Sequence, residues 1–444
     1  MNIVLYSTNT NTFDSETFKI QYFPSCHSSL EKLAKKYPQH NFFIVTQKPG
    51  MFLLDQEHPT TTAKEKRIEY FISRSTEPEK IADEIQHLNP DAAFPLSFWV
   101  TPYDWLSLGD SLIATILQEK GITTNTHPLE TNLICFDKIK TQDFLQKNNF
   151  LTPKGMHIDQ ELFWADRAKK EITYNNYKNC IFYQLTQFKY PLVIKNIHGV
   201  SSYGIDIAHT YNEAKSFLLS KRNNCHKIVQ EYIDGLQFGT EIYGKPGNYT
   251  IQRPFIFSVN KYGITSPKQS IKLGPIQPQQ FHFEKLEKQL TDLAEILQFK
   301  GIAQVDLVYK NEQWYIIEIN PRISGMTQCY AALFDASVPE IAFEATNWCQ
   351  QTPENFTLNY KLPLLTQEQF SVITKLPYIF AVTQFHNTIA RQEREKGYCE
   401  IIFKKTTSLE KLQENLKSFI QEFPDFIEEN FEKNANLLFS ILKE

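Results

Sequence analysis

The segment GIAQVDLVYKNEQWYIIEINPRISGMT, residues 301–327, decides the fold of this chain. Its two apolar runs, residues 303–309 and 314–320, predict a pair of strands. The polar stretch between them, residues 310–313, predicts a tight turn. We therefore expect a β-hairpin at this point of the chain.

The polar side chains of this hairpin follow a strict alternation. Glu318 and Asn320 share one face of the second strand, and Gln304 and Asp306 share one face of the first. Closing the hairpin brings these faces together. Two carboxylates and an amide oxygen are hard ligands, which suit Mg²⁺ shared with phosphate oxygens. The alternative interpretation is an ordinary hairpin with its polar face in water.

The run EINPRISGMT resembles the metal-binding strand of the ATP-grasp superfamily, which includes D-alanine–D-alanine ligase, biotin carboxylase and carbamoyl phosphate synthetase. Asp306, Glu318, Asn320 and Arg322 match that pattern in order and spacing. The resemblance implies that the first three hold Mg²⁺, or Mn²⁺ in its place. It implies that Arg322 is catalytic and binds a substrate carboxylate or the developing oxyanion.

Weaker matches extend the resemblance upstream, over roughly residues 136–327. The resemblance places Lys138 near the α-phosphate or the adenine of ATP, and Lys195 at the α- and β-phosphates with a catalytic role. It places Ser201 and Ser202 over the triphosphate, where loop N–H groups and hydroxyls cradle phosphate. One departure is an asparagine that follows Lys195, where the family usually has proline.

The resemblance assigns further nucleotide contacts to Gln230, Glu231, Tyr232, Ile233 and Gln237. Glu241, which alternates with Gln237 on one strand face, and Lys272 are additional candidates. Two of these residues depart from the family. Gln230 and Gln237 stand where carboxylates usually take the adenine amino group and the ribose hydroxyls, although an amide oxygen also accepts hydrogen bonds. Lys272, in a stretch rich in Gly, Pro, Ser and Lys, is either a γ-phosphate ligand or a plain surface lysine.

Alternating strand and helix signals in residues 1–127 predict an open parallel sheet with helices on both faces. The expected fold class is α/β, with α+β nucleotide lobes. An ATP-grasp domain is expected at 128–350, with its small lobe at about 154–232, and a C-terminal α+β lobe at 351–444.

Three segments of these domains carry weaker expectations. Residues 155–188 are interpreted as an insertion with a helix around 160–170. Residues 370–380 are interpreted as a strand. The C-terminal lobe either closes one side of the site or forms a homodimer surface, and both alternatives stay open.

Bulk composition is that of a soluble globular protein, with 41% hydrophobic residues among 444 and a formal charge of −4. The chain has no basic stripe, so no nucleic-acid partner is indicated. It has no basic, apolar leader and no apolar run near the roughly 20 residues that span a bilayer. Seven scattered cysteines favour reduced thiols and a cytoplasmic location.

The implied function is that of an ATP-dependent ligase joining a small carboxylate, such as an amino acid, to an amine through an acylphosphate. The segment Ser324-Gly325-Met326-Thr327 resembles the D-alanine ligase end of the superfamily. Asn320-Pro321-Arg322 resembles the carboxylase and carbamoyl phosphate end, so a bicarbonate-dependent enzyme is an alternative. Gln230 and Gln237 motivate a third interpretation, a non-catalytic nucleotide-binding protein.

Overall fold

A computed structural model of the chain describes residues 1–8, 18–47, 65–98, 103–199, 205–259, 269–388, 396–426 and 431–443. These residues form a five-stranded, a four-stranded and a ten-stranded sheet, all flanked by helices. No helix within these ranges is both long and apolar enough to cross a membrane. The mixed α/β fold class expected from the sequence, with an open parallel-sheet domain first, is confirmed.

The five-stranded sheet is parallel throughout and forms the first domain. Its elements, and one strand that leaves it, are β1 (Asn2–Ser7), β2 (Phe18–Phe23), α1 (Cys26–Lys36), β3 (Asn41–Thr46), β4 (Ile68–Ile72), α2 (Pro78–Gln86), β5 (Ala92–Pro95), α3 (Leu106–Glu119) and β6 (Thr123–Thr124). The strand order is β4-β3-β1-β5-β6. Alternate side chains of β1 serve both faces: Ile3 and Leu5 pack on the side of α1, and Val4 and Tyr6 on the side of α2 and α3.

The four-stranded antiparallel sheet has the order β7-β10-β8-β9 and forms the small lobe. The elements that lead into and build this lobe are α4 (Leu129–Phe136), α5 (Lys138–Lys147), β7 (Gly155–Ile158), α6 (Gln160–Phe163), α7 (Ala165–Ala168), α8 (Asn176–Leu185), β8 (Leu192–Asn196), β9 (Asp206–Ala208), α9 (Tyr211–Leu219) and β10 (Lys227–Glu231). Apolar side chains of its helices and strands form a separate core.

The interpretation of residues 155–188 as an insertion was wrong for its first part. Strand β7 is the edge of the small-lobe sheet and pairs with β10 from Lys227 to Gln230. The close approach depends on Gly155, because a Cβ there would lie 2.8 Å from the carbonyl oxygen of Val229. The helix expected at 160–170 is broken into the two short helices α6 and α7.

The ten-stranded sheet contains the hairpin. The strands and flanking helices of its first part are β11 (Leu236–Lys245), β12 (Asn248–Ile251), β13 (Phe255–Phe257), β14 (Ser270–Gly274), α10 (Phe283–Leu297), β15 (Gly301–Lys310), β16 (Gln313–Asn320), α11 (Gly325–Phe334) and α12 (Val338–Glu344). Its second part comprises β17 (Thr357–Leu362), α13 (Gln367–Ile373), β18 (Ile379–Asn387), β19 (Gly397–Phe403), α14 (Leu409–Glu422) and α15 (Phe431–Lys443).

The strand order of this sheet is β16-β15-β11-β13-β14-β17-β19-β18-β2, with β12 paired to β11. The strands after residue 351 therefore extend the sheet that holds the hairpin. At its far edge β18 pairs with β2, a strand that the sequence did not predict. This shared sheet brings C-terminal side chains onto the same face as the hairpin.

The prediction of a strand at residues 370–380 was wrong, because α13 extends to Ile373 and the strand begins only at Ile379. Thr366 caps this helix: its hydroxyl accepts from the N–H of Gln369, whose side chain accepts in return from the N–H of Thr366. This reciprocal pair is a capping box, a strong helix start.

Candidate active site

The hairpin closes as predicted, with Asn311 and Glu312 at its turn. Both residues have positive φ, 50° and 60°, which suits a two-residue turn of the type that matches strand twist. Across the two strands Asp306 lies opposite Glu318. A β-bulge follows this pair, where the register shifts between Asp306 and Leu307. The two carboxylates are thus neighbours on one face, beside an irregularity that re-aims side chains.

The amides next to these carboxylates complete a chain of hydrogen bonds. Asn320 lies opposite Gln304, and its Nδ2 donates to Gln304 Oε1 at 2.7 Å. Gln304 Nε2 in turn donates to Asp306 Oδ1 at 2.7 Å. Burial raises the pKa of Asp306 to about 6, and the charge of Glu318 acts in the same direction. Gln304 opposes this effect, because its N–H stabilises the ionised form.

Two lysines face the carboxylates from across the cleft. Lys138, the first residue of α5, places its Nζ 2.9 Å from Glu318 Oε1 and donates to the Gly199 carbonyl at 3.2 Å. Lys195, on β8, is only 5% exposed. Burial acts to raise the pKa of Glu318, but Lys138 and Lys195 outweigh it, so that this pKa is lowered. The fold therefore opposes two anions with two cations.

The pKa of Lys195 depends on its burial and on the three charges around it. Burial lowers its pKa to about 8, and the nearby charge of Lys138 acts in the same direction. Glu318 and Asp306 act against that change, because a negative charge nearby favours the charged ammonium. A phosphate group that binds beside Lys195 would stabilise its charged form, because an added anion raises the pKa of a nearby ammonium.

Arg322 extends from the end of the hairpin to the first domain. Its Nε lies 2.9 and 2.8 Å from the two carboxylate oxygens of Asp104, and its Nη2 also donates to that carboxylate. Its Nη2 donates further to Asn320 Oδ1 at 3.2 Å. The guanidinium is thus held in a bidentate pair between the first domain and the predicted metal ligands.

Glu241 lies on β11, on the same sheet face, but its carboxylate is wholly buried under the start of α11. Ser324 and Thr327 donate to its Oε1 at 2.9 and 2.6 Å, and Tyr243 donates to its Oε2 at 2.6 Å. Ser324 is also the N-cap of α11. In this structure Glu241 therefore fixes the helix N-terminus beside the site, and its predicted nucleotide contact stays a prediction.

Replacing Glu241 by glutamine is expected to change how stability depends on pH. Burial raises the pKa of Glu241 from 4.5 to about 7, against the three hydroxyl donors. The folded protein therefore keeps a proton that the unfolded chain loses between these values, and stability falls as pH rises through them. This interval corresponds to about 3 kcal/mol, lost in full above pH 7.

Denaturant unfolding from pH 4 to pH 8 measures this effect. The stability of Glu241→Gln relative to the wild type should rise across the range, because the amide cannot ionise. The variant Glu312→Gln is the control, since the Glu312 side chain is 75% exposed. Parallel curves for Glu241→Gln and the wild type would show that Glu241 ionises alike in both states.

The predicted adenine contacts, residues 230–233, lie where the small lobe joins the ten-stranded sheet. Gln230 is buried and donates through Nε2 to Gln142 Oε1 at 2.8 Å. The Glu231 carboxylate accepts from the N–H of Lys189 at 3.0 Å, and the N–H of Tyr232 donates to the Pro191 carbonyl. These contacts hold the connection between the lobes in place.

The other predicted nucleotide contacts are scattered around this connection. Ile233 lies within it, and Gln237 lies on β11 opposite Val308, on the face that also carries Glu241. Lys272 lies on β14, not in a loop, with its Nζ 5.5 Å from the centroid of the Phe257 ring. Ser201 and Ser202 fall outside the described residues. The nucleotide roles of all these residues remain predictions.

Several residues at the site were not found from the sequence. Asp104, Asn359, Lys361 and Glu400 reach it from the first domain and from the C-terminal strands. Glu400 carried a usable signal, because a lone carboxylate in the apolar strand YCEIIF is costly unless it is paired. The sequence around Asp104 carried no such signal, since only the folded chain brings this residue to Arg322.

Comparisons with known proteins agree with this geometry. Residues 135–326 match the family model of the ATP-grasp domain, so the chain carries an ATP-grasp domain and the resemblance stated from the sequence is confirmed.

Two relatives and one structure illustrate this similarity. The chain is 28% identical over 167 residues to the D-alanine–D-alanine ligase of Petrotoga mobilis, a match covering 36% of this chain and 55% of the relative. It is 25% identical over 237 residues to the enzyme of the same name from Pelagibacter ubique, covering 52% and 70%. The crystal structure of L-amino acid ligase from Bacillus licheniformis superimposes with a TM-score of 0.64 at 16% identity, covering 97% and 99%, which shows the shared fold. The chain thus spans little more than half the length of the first relative.

Proposed function

We propose that this chain is an ATP- and Mg²⁺-dependent ligase that joins a carboxylic acid to an amine. The observation that carries the proposal is the opposition of charge across the cleft, with Asp306 and Glu318 facing Lys138 and Lys195. Phosphoryl transfer between anions depends on charge neutralisation and alignment, and this arrangement supplies both. The ATP-grasp match and the ligase relatives support the same function.

Asp306, Glu318 and Asn320 are proposed to hold the cation. The donor set fits Mg²⁺ or Mn²⁺, because all three present oxygen atoms on one face. Within the described residues, no group of three or more His, Cys, Asp or Glu side chains is placed to hold a metal. The remaining ligands would then be phosphate oxygens and water. A bound cation neutralises phosphate charge and aligns the transferring group.

In the first step an oxygen of the substrate carboxylate attacks the γ-phosphorus of ATP. The bond from this phosphorus to the β–γ bridging oxygen breaks, and its electron pair leaves with ADP. In the second step the amine nitrogen attacks the acyl carbon, phosphate leaves with the electron pair of the broken C–O bond, and the nitrogen loses a proton. Lys138 and Lys195 would hold the phosphates, and Arg322 would stabilise the oxyanion.

The remaining assignments follow from this reaction. The backbone of residues 231–233 would bind the adenine edge, with Gln230 and Gln237 as neutral acceptors in place of carboxylates. Ser201 and Ser202 would cover the triphosphate, and Lys272 would reach the γ-phosphate. The seven cysteines are all free thiols, which supports the proposed cytoplasmic location.

The test is phosphate release from ATP by the purified chain with Mg²⁺, against a panel of the standard L-amino acids and D-alanine, singly and in pairs. We expect release that requires both an acid and an amine, with a matching amount of condensed product. Release that depends on bicarbonate alone would favour the carboxylase interpretation instead. Tight ATP binding without release under any condition would contradict catalysis.

A further inference from the structure

A second group of charged side chains lies on the same sheet face as the hairpin carboxylates. Lys272 of β14 lies opposite Asn359 of β17. Two residues further along β17, Lys361 lies opposite Glu400 of β19. We call Lys272, Asn359, Lys361 and Glu400 the C-terminal cluster. Three of its four members come from strands that follow the ATP-grasp match.

The carboxylate of this cluster is buried and forms no salt bridge within the described residues. Glu400 is 8% exposed, and Asn359 Nδ2 donates to its Oε2 at 3.4 Å. Glu318 and Asp104, by contrast, each form a salt bridge. Asn359 is 1% exposed, and its Oδ1 accepts no hydrogen bond within the described part of the chain. Buried polar groups of this kind require a partner.

The two lysines of the cluster are held by aromatic rings. Lys361 Nζ lies 3.7 Å from the centroid of the Tyr398 ring, and Lys272 Nζ lies 5.5 Å from that of Phe257. Both contacts fall within the range of cation–π attraction. The fold thus keeps two cations and one anion close together without joining them. A ligand that carries both a positive and a negative charge would pair with the carboxylate of Glu400 and with the ammonium groups of Lys272 and Lys361.

The cluster adjoins the proposed reaction site at the first residue of α11. A Cβ added to Gly325 would lie 3.1 Å from Glu400 Oε2 and 3.5 Å from Lys272 Nζ. The absence of a side chain at position 325 therefore lets the start of α11 lie close to an anion and a cation at once.

We propose that the C-terminal cluster binds a free α-amino acid as its zwitterion, with the ammonium at Glu400 and the carboxylate at Lys361 and Lys272. Lys272 would then contact both this carboxylate and the γ-phosphate that the carboxylate attacks. The two charges of an α-amino acid are carried on one carbon atom. Glu400 and Lys272 converge beside Gly325, and Lys361 lies opposite Glu400 on the neighbouring strand. This inference rests on the proposed ligase function and narrows its substrate to a free amino acid. Glu400 and Lys361 would then determine specificity.

The binding test uses the full chain saturated with Mg²⁺ and ADP, and follows the thermal midpoint with each standard L-amino acid and with D-alanine. At least one amino acid should raise the midpoint, and its analogue without the amino group should not. Glu400→Gln should weaken binding of that amino acid about 100-fold and Lys361→Met about 10-fold or more, with ADP affinity unchanged. Glu414→Gln is the matched control, because its side chain is 66% exposed.

The outcomes separate this inference from the proposed function. No midpoint shift with any member of the panel overturns the inference, and so does an equal shift with the analogue lacking the amino group. If the wild type releases phosphate with amino acids but Glu400→Gln does so with unchanged KM and kcat, the ligase stands and the subsite fails. If Glu400→Gln loses binding while no phosphate is released, the subsite stands and the ligase fails.

Discussion

Replacing Glu318 by glutamine is expected to lower Mg²⁺-dependent turnover of ATP by about 100-fold or more. Removing one group that supports a metal site or stabilises transition-state charge lowers the activity of other enzymes by a similar factor. Glu318 is the more acidic of the two hairpin carboxylates, because Lys138 and Lys195 outweigh the effect of its burial and lower its pKa. The amide keeps the size of the side chain but removes this charge. The remaining carboxylate, Asp306, has its pKa raised to about 6 by burial.

A second measurement separates loss of the cation site from general damage. Mg²⁺ should strengthen ADP binding to the wild type in calorimetry, and that gain should disappear in Glu318→Gln. The control Glu312→Gln removes a carboxylate from the turn of the same hairpin, where the side chain is 75% exposed, and should behave as the wild type. Turnover within about tenfold of the wild type in a folded Glu318→Gln protein would contradict the metal assignment.

The hairpin was predictable from the sequence because the residue pattern that determines it lies within one short segment. Alternation of polar and apolar residues fixes which side chains share a face, and a register slip of one residue would bury the wrong set. The structure accordingly places Asp306 opposite Glu318 and Gln304 opposite Asn320. The bulge after Asp306 was not predictable, because it depends on how the two strands meet and not on either strand alone.

The C-terminal contribution was not predictable for a different reason. The order of strands in the ten-stranded sheet places β17 between β14 and β19, and nothing in one sequence gives that order. The sequence left open whether this lobe closes the site or forms a dimer surface. In the structure its strands extend the sheet itself, so that Lys361 and Glu400 lie on the face of the hairpin carboxylates.

For Glu241, strand alternation correctly predicts the face of the sheet but does not determine the function of the side chain. Its alternation with Gln237 on β11 predicts a shared face, which the structure has. Only the structure shows that the Glu241 carboxylate already accepts from three hydroxyl groups, two from the start of α11 and one from Tyr243 of β11. The pairing of Arg322 with Asp104 likewise joins residues 218 positions apart, beyond the reach of any local signal.

Arg322→Lys is expected to lower kcat by about 100-fold, as the loss of one oxyanion donor does in other enzymes. Lysine keeps the charge but lacks the planar fork that binds two oxygens at once. Asp104 holds the guanidinium through Nε and Nη2, and Nη2 also reaches Asn320 Oδ1. Asp104→Asn, which leaves the arginine in place but loosens its orientation, should cost about tenfold.

The alternative is that Arg322 and Asp104 form a structural ion pair that joins the first domain to the hairpin. Both variants would then lower the thermal midpoint by similar amounts and leave the kcat of the folded protein unchanged. A catalytic Arg322 predicts the reverse: kcat falls in both variants, and Asp104→Asn costs nothing further once Arg322 is lysine. The double-mutant cycle measures this coupling directly, since a positioning residue has no effect without the residue it positions.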